Sequence, residues 1–128
     1  MQDRPTAAEL LEVVAKFLES EVVPVTTGSR RFQILVAANV MRIVTREMHH
    51  EEAHLGEEVS ALAELLERPH PAPGTFEELR RSAQSLNQEL CERIRAGEFD
   101  SERARARTVE VLRKVVLNKL VIANPRYL

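Results

Sequence analysis

Apolar residues recur along most of the chain at intervals of three and four, the period of a helix with one face turned inward. Leu10, Val14, Phe17 and Leu18 mark a first helical segment, which Pro24 and the run Thr26-Thr27-Gly28-Ser29 bring to an end. A second opens near Ser29 and carries Phe32, Leu35, Val36, Val40, Ile43 and Val44 on one face. A third shows Leu55, Val59, Leu62 and Leu66. Met48 to Leu55 keeps a seven-residue phase, so these two segments could form one rod. Gly56 and the dense charge at residues 49–56 favour a break instead.

The stretch "RPHPAPG" (68–74) follows, with three prolines and a glycine, and reads as an exposed irregular connection. Leu79, Ala83, Leu86, Leu90 and Ile94 then form a fourth stripe, and Val109, Leu112, Val116 and Leu120 a fifth. The fifth segment also has Leu117 and Val121 on its opposite side. A helix apolar on more than one side is central in its domain or lies in a subunit interface. Capping boxes at Thr6–Glu9 and Thr75–Glu78 fix two helix starts. Gly97 is placed to end the fourth helix, Asp100 or Ser101 to cap the fifth, and Asn124 before Pro125 to stop it. No segment alternates with period two for long enough to be a strand. The expectation is an all-α single domain over residues 1–128, an antiparallel bundle of four to five helices.

Composition agrees with that class. Hydrophobic residues make up 44% and charged residues 30%, ordinary for a globular domain, while aromatics are only 4%. A core of Leu, Val, Ile and Ala is therefore expected. The lone Cys91 cannot form an internal disulfide and, beside Leu90, reads as a small core hydrophobe. "MQDRPTAAEL" at the N-terminus lacks the apolar region of a secretory signal, and the longest apolar run, Phe32 to Met41, is too short to span a membrane. A cytoplasmic location, away from membranes, is expected.

Net charge is −2, unevenly spread: residues 1–100 hold 11 basic and 18 acidic side chains, residues 101–128 hold 7 and 2. A basic final helix packing among acidic ones accounts for the imbalance. No aromatic residue interleaves the arginines as base stacking would require, so nucleic acid is not expected as a partner.

Chemistry is suggested most sharply by "HHEEAH" (49–54), in which His50, Glu51 and His54 spell the H-E-x-x-H of zinc hydrolases. With Leu55 at the centre of the buried face, a helical wheel puts His54 roughly 100° away and His50 roughly 140° away. Both rings then face solvent, and Glu51 leans inward. A catalytic zinc needs the reverse, together with a third ligand. No metal and no cofactor are expected. Asn39 and Lys119 fall inside apolar stripes, where an amide or ammonium is costly unless partnered. Asn39 would fix the register of a helix pair, and Lys119 would snorkel or pair with a glutamate. The functional alternative is a shared pocket for a small anion. The compact ends, "DRP" (3–5) and "NPRYL" (124–128), suggest a tail folded back with Tyr127 or Leu128 partly buried, or a docking edge. Glycine-rich phosphate loops, G-x-S-x-G and dinucleotide fingerprints do not occur.

"RPTAAELLEVVAKFL" (4–18), "AAN" (37–39), "LCERIRAGEFD" (90–100) and "KLVIANPRYL" (119–128) resemble a bacterial family of small helical domains of unknown function. Arg4, Pro5, Asn39, Gly97, Lys119, Asn124, Pro125 and Tyr127 match its pattern; His49, His50 and His54 do not belong to it. Its members often stand beside aminoglycoside-phosphotransferase-like kinases and acyl-CoA dehydrogenases, sometimes fused to the kinase. The resemblance implies an accessory role near such enzymes. The expected function is thus a non-catalytic interaction module that self-associates or docks on a protein partner. The alternatives are a bundle binding a small anionic ligand, such as a CoA ester or nucleotide, and a zinc hydrolase. The candidate ligand- or partner-binding residues are Arg4, Asn39, Lys119, Asn124, Arg126 and Tyr127.

Overall fold

The computed structural model describes residues 3–128. Among them are four α-helices and no strand: α1 (Ala7–Phe17), α2 (Gly28–Leu65), α3 (Phe76–Arg95) and α4 (Glu102–Ala123). The all-α expectation holds. Two compact units divide the chain. The first comprises residues up to His50 with Ile122–Asn124, and the second Glu51–Val121 with Pro125–Leu128.

Helix starts form where local chemistry demands them. Thr6 accepts the Glu9 amide while the Glu9 carboxylate accepts the Thr6 amide at 2.7 Å, and Thr75 and Glu78 repeat the arrangement. At α4 the Ser101 hydroxyl accepts the Ala104 amide. Helix ends are equally explicit. At the end of α3, Glu98 N–H donates to Arg93 and Gly97 N–H to Ile94, with Gly97 at φ 83°. This is the paired closure of a left-handed helix stop. At the end of α2, Arg68 N–H donates to Ala63 and Glu67 N–H to Glu64, the same closure, but with Glu67 at φ 55° in the glycine position.

The break expected near residues 49–56 does not occur, and α2 runs unbroken for 38 residues. One glycine costs a helix interior only about 1 kcal/mol, too little to interrupt a long segment anchored on both sides of it. The predicted second and third segments are therefore one helix, and the fifth is α4.

Within the second unit the core is leucine-rich. Val59, Leu62, Leu66, Ala83, Leu86 and Leu90 cluster with Leu55, Leu79, Phe99 and Val111 packed around them. Helix direction here departs from the antiparallel expectation at one pair. Glu51 accepts from Arg80 at 2.6 Å, and Glu58, seven residues on, accepts from Asn87, also seven residues on. Partners that advance together identify parallel helices, so α3 runs in the same direction as the end of α2. The proline-rich connection makes this possible. His70, Pro71 and Pro73 line a cleft with Glu52, Gly56 and Ser60, so the chain returns along α2 before α3 begins. α4 is antiparallel to α2: Arg107 pairs with Glu64, and Lys114 with Glu57.

In the first unit Arg42 of α2 binds Glu19 and, at 3.6 Å, Glu12, tying α2 to the first helical segment. Arg46 Nε donates to the Ile122 carbonyl at 2.6 Å and so caps the last turn of α4. The buried residues of this unit are Ala8, Ala15, Val23 and Ala38. Small inward side chains allow helix backbones to approach closely.

Candidate interaction surface

The inward use of alanine leaves the large side chains of the first unit outside. On α1, Leu10, Val13, Val14 and Phe17 lie within about 100° of arc and are all exposed. On α2, the inward side is Ile34, Ala38, Met41 and Thr45. Phe32, Val36 and Val40 lie on the opposite side, flanked by Leu35 and Val44, and all five are exposed; Met48, beside Met41 on the wheel, is exposed as well. Phe32 is 68% exposed and Val40 50%. This is the face expected to be buried; within the chain it is open. The inward positions are themselves apolar, so the period alone could not select between the two sides.

Asn39 sits in the open face, between Leu35 and Ile43 on the wheel, and is exposed. Among the described residues it makes no interhelical hydrogen bond. It is the polar position in an uncovered apolar stripe.

The other sequence-derived candidates lie as follows. Arg4 is exposed, 3.7 Å from Glu9. Asn124, Arg126 and Tyr127 are exposed, Tyr127 at 79%, and Leu128 is exposed as well. The tail therefore does not bury its aromatic or its last leucine. Asn39, Arg4 and Asn124 belong to the first unit, and Lys119, Arg126 and Tyr127 to the second.

Lys119 does not occupy a buried face. Its side chain is 68% exposed and reaches to 3.9 Å from the buried Glu58 carboxylate, which also accepts from Asn87 at 2.6 Å. The inward face of α4 is instead Thr108, Val111, Val115 and Asn118, leaving Val109, Leu112 and Val116 exposed. Leu117 is open and Val121 half-buried. Beside Glu58, Glu57 is held below the usual carboxylate range by the Asn118 amide and the Lys114 ammonium. These polar groups answer one another's charge, as stabilising ion pairs do.

His50 is exposed, whereas His54 is half-buried rather than turned to solvent. Glu51, the would-be general base, is engaged by Arg80. Among the described residues no group of three or more His, Cys, Asp or Glu side chains is placed to hold a metal ion. Cys91 is exposed, not a core hydrophobe, because Leu90 takes the inward position of that turn. No helix among the described residues is long and apolar enough to cross a membrane.

The family model of a domain of unknown function (DUF6285) matches residues 24–127. The match takes in α2, α3, α4 and the tail through Tyr127, and it begins after α1. No curated protein matches the chain, and neither does any solved structure.

Proposed function

We infer that this chain, which belongs to the DUF6285 family of domains of unknown function, is a non-catalytic helical module that works by protein contact. One observation carries the reading: the first unit presents its bulky side chains outward along two helices while burying alanines. Isolated exposed apolar residues are ordinary, but a continuous stripe is characteristic of a binding surface. The second unit supports the role by supplying a conventional leucine core that fixes one end of α2. Phosphotransferase-like kinases and acyl-CoA enzymes are the partner class implied by the resemblance at both ends of the chain.

Photo-crosslinking tests this directly. A photoreactive amino acid at Val40, expressed in the native host, is expected to give protein adducts, whether with this chain or with another. Capture of no protein at Val40, with efficient capture at the equally exposed Tyr127, would remove the surface from consideration.

A further inference from the structure

We propose that the outward side of α4 is a docking site for an acidic amphipathic helix of another protein. This goes beyond the α2 surface and concerns the other unit.

The shape of the exposed strip fits a helix. On a helical wheel Val109, Leu112, Val116 and Leu120 fall within about 80° of arc, at spacings of three and four. Val109, Leu112 and Val116 are exposed and Leu120 is half-buried. The arc is turned roughly 100° from the enclosed side, which Thr108, Val111 and Val115 set. It runs for about 16 Å along α4. A strip this narrow has the width of a coiled-coil seam, not of a face that fills a core. Helices that lie in a lipid surface carry broad apolar sides with Trp, Phe and Leu, and this strip has no aromatic residue.

Charge identifies the partner. The cations of α4 nearest α2 are matched within the chain: Arg107 by Glu64, Lys114 by Glu57 and Lys119 by Glu58. The two beside the strip are not. Arg105 donates to the Asp100 carbonyl oxygen at 3.1 Å, a neutral acceptor. Among the described residues Arg113 forms no ion pair. Arg105 falls inside the arc of the strip, and Arg113 about 20° past Leu120. From Arg105 to Leu120 no acidic side chain shares that arc, and Glu110 stands about 60° beyond Arg113. Two copies of α4 laid together would bring arginine to arginine, which disfavours self-pairing. A helix with an apolar seam and Glu or Asp beside it satisfies both features, since carboxylates pair well with guanidinium groups.

The test uses a synthetic amphipathic helix with a leucine seam flanked by glutamates, whose mutual repulsion keeps it from pairing with itself. It is labelled with fluorescein and titrated with the full chain by anisotropy. Saturable binding that weakens as salt rises is expected. Val116→Asn should weaken it at least about tenfold, with unchanged helical circular dichroism, because Val116 is outside the chain's own core. Arg113→Glu should weaken it too, and should gain binding to the same peptide with lysine flanks. Val40→Ser, on the α2 surface, should leave the affinity unchanged. Absence of binding overturns the proposal, as does equal binding of a scrambled peptide of the same composition, which would reduce the effect to charge alone. An equal loss from Val40→Ser would move the binding to α2 and overturn it as well. So would binding to phosphatidylserine vesicles, abolished by Val116→Asn, in place of binding to the peptide.

Discussion

The two units solve the same problem in opposite ways. In the second, Leu62, Leu66 and Leu90 are almost wholly enclosed, although Val109, Leu112, Val116 and Leu117 of α4 stay exposed. In the first, the enclosed residues are mostly alanines, and phenylalanine, valine and methionine face out. Both are built from amphipathic helices with good caps, and α2 passes through both. Helix formation therefore does not decide where large side chains go. An inward leucine contributes about 1.5–3 kcal/mol by leaving water, and an alanine far less. The first unit gives up that stabilisation within its own chain, and contact with another protein would restore it.

The contrast is broken most severely by truncating leucines. Leu62→Ala or Leu90→Ala should each cost about 2–5 kcal/mol in urea unfolding. Phe32→Ala should change stability by no more than about 0.5 kcal/mol. Equal losses would mean that the stripe is core after all.

Next in size are the two helix stops. Gly97→Ala should cost about 1–2 kcal/mol, since its left-handed backbone disfavours any side chain, and the new Cβ would stand 3.1 Å from the Asp100 carboxylate. Glu67→Gly at the corresponding position of α2 should add up to about 1 kcal/mol by relieving the same conformation. A stabilising Gly97→Ala would contradict the assigned closure.

Gly56 gives a smaller effect. Nothing lies within 4 Å of a Cβ placed there, so Gly56→Ala should stabilise by about 0.5–1 kcal/mol if α2 is continuous. A loss of thermal stability would instead point to a hinge at that residue.

The smallest expected effect is on acid sensitivity. Glu89 is held below its ordinary 4.5 first by the Arg68 guanidinium and then by Arg93, and Glu57 by Asn118 and Lys114. A carboxylate with a lowered folded pKa stabilises above its unfolded value, and the contribution disappears as pH falls through the folded one. Stability should thus decline below about pH 4.5, and Arg68→Ala should flatten that decline. Scans of the melting temperature against pH for wild type and variant would show no difference if Glu89 were unperturbed.

Helix ends were legible because they depend on neighbours in sequence. Thr6, Thr75, Gly97 and Ser101 act where their local chemistry places them. Orientation was not legible, because a helical period is the same whichever side is enclosed. In α2 both Ile34–Ala38–Met41 and Phe32–Val36–Val40 satisfy it, and the bulkier set drew the assignment although it faces outward. The same ambiguity placed Lys119 and Val116 inside α4, where Thr108 and Val115 are the enclosed residues. Direction is equally invisible to periodicity. A proline-rich connection of this length permits either a hairpin or a return, and only the matched advance of Glu51–Arg80 and Glu58–Asn87 reveals the return. Asn39 does interrupt an apolar stripe, but on the exposed side of α2 and not the enclosed one.

The central claim is that the bulky face of α2 is a surface covered by protein and not by its own chain. Hydroxyl-radical footprinting of the chain in its native host and as dilute purified protein tests it most directly. The account predicts that Phe32 and Val40 are protected in the host relative to the purified chain, while labelling of Tyr127 is the same in both. Equal labelling of Phe32 and Val40 in the two settings would contradict it.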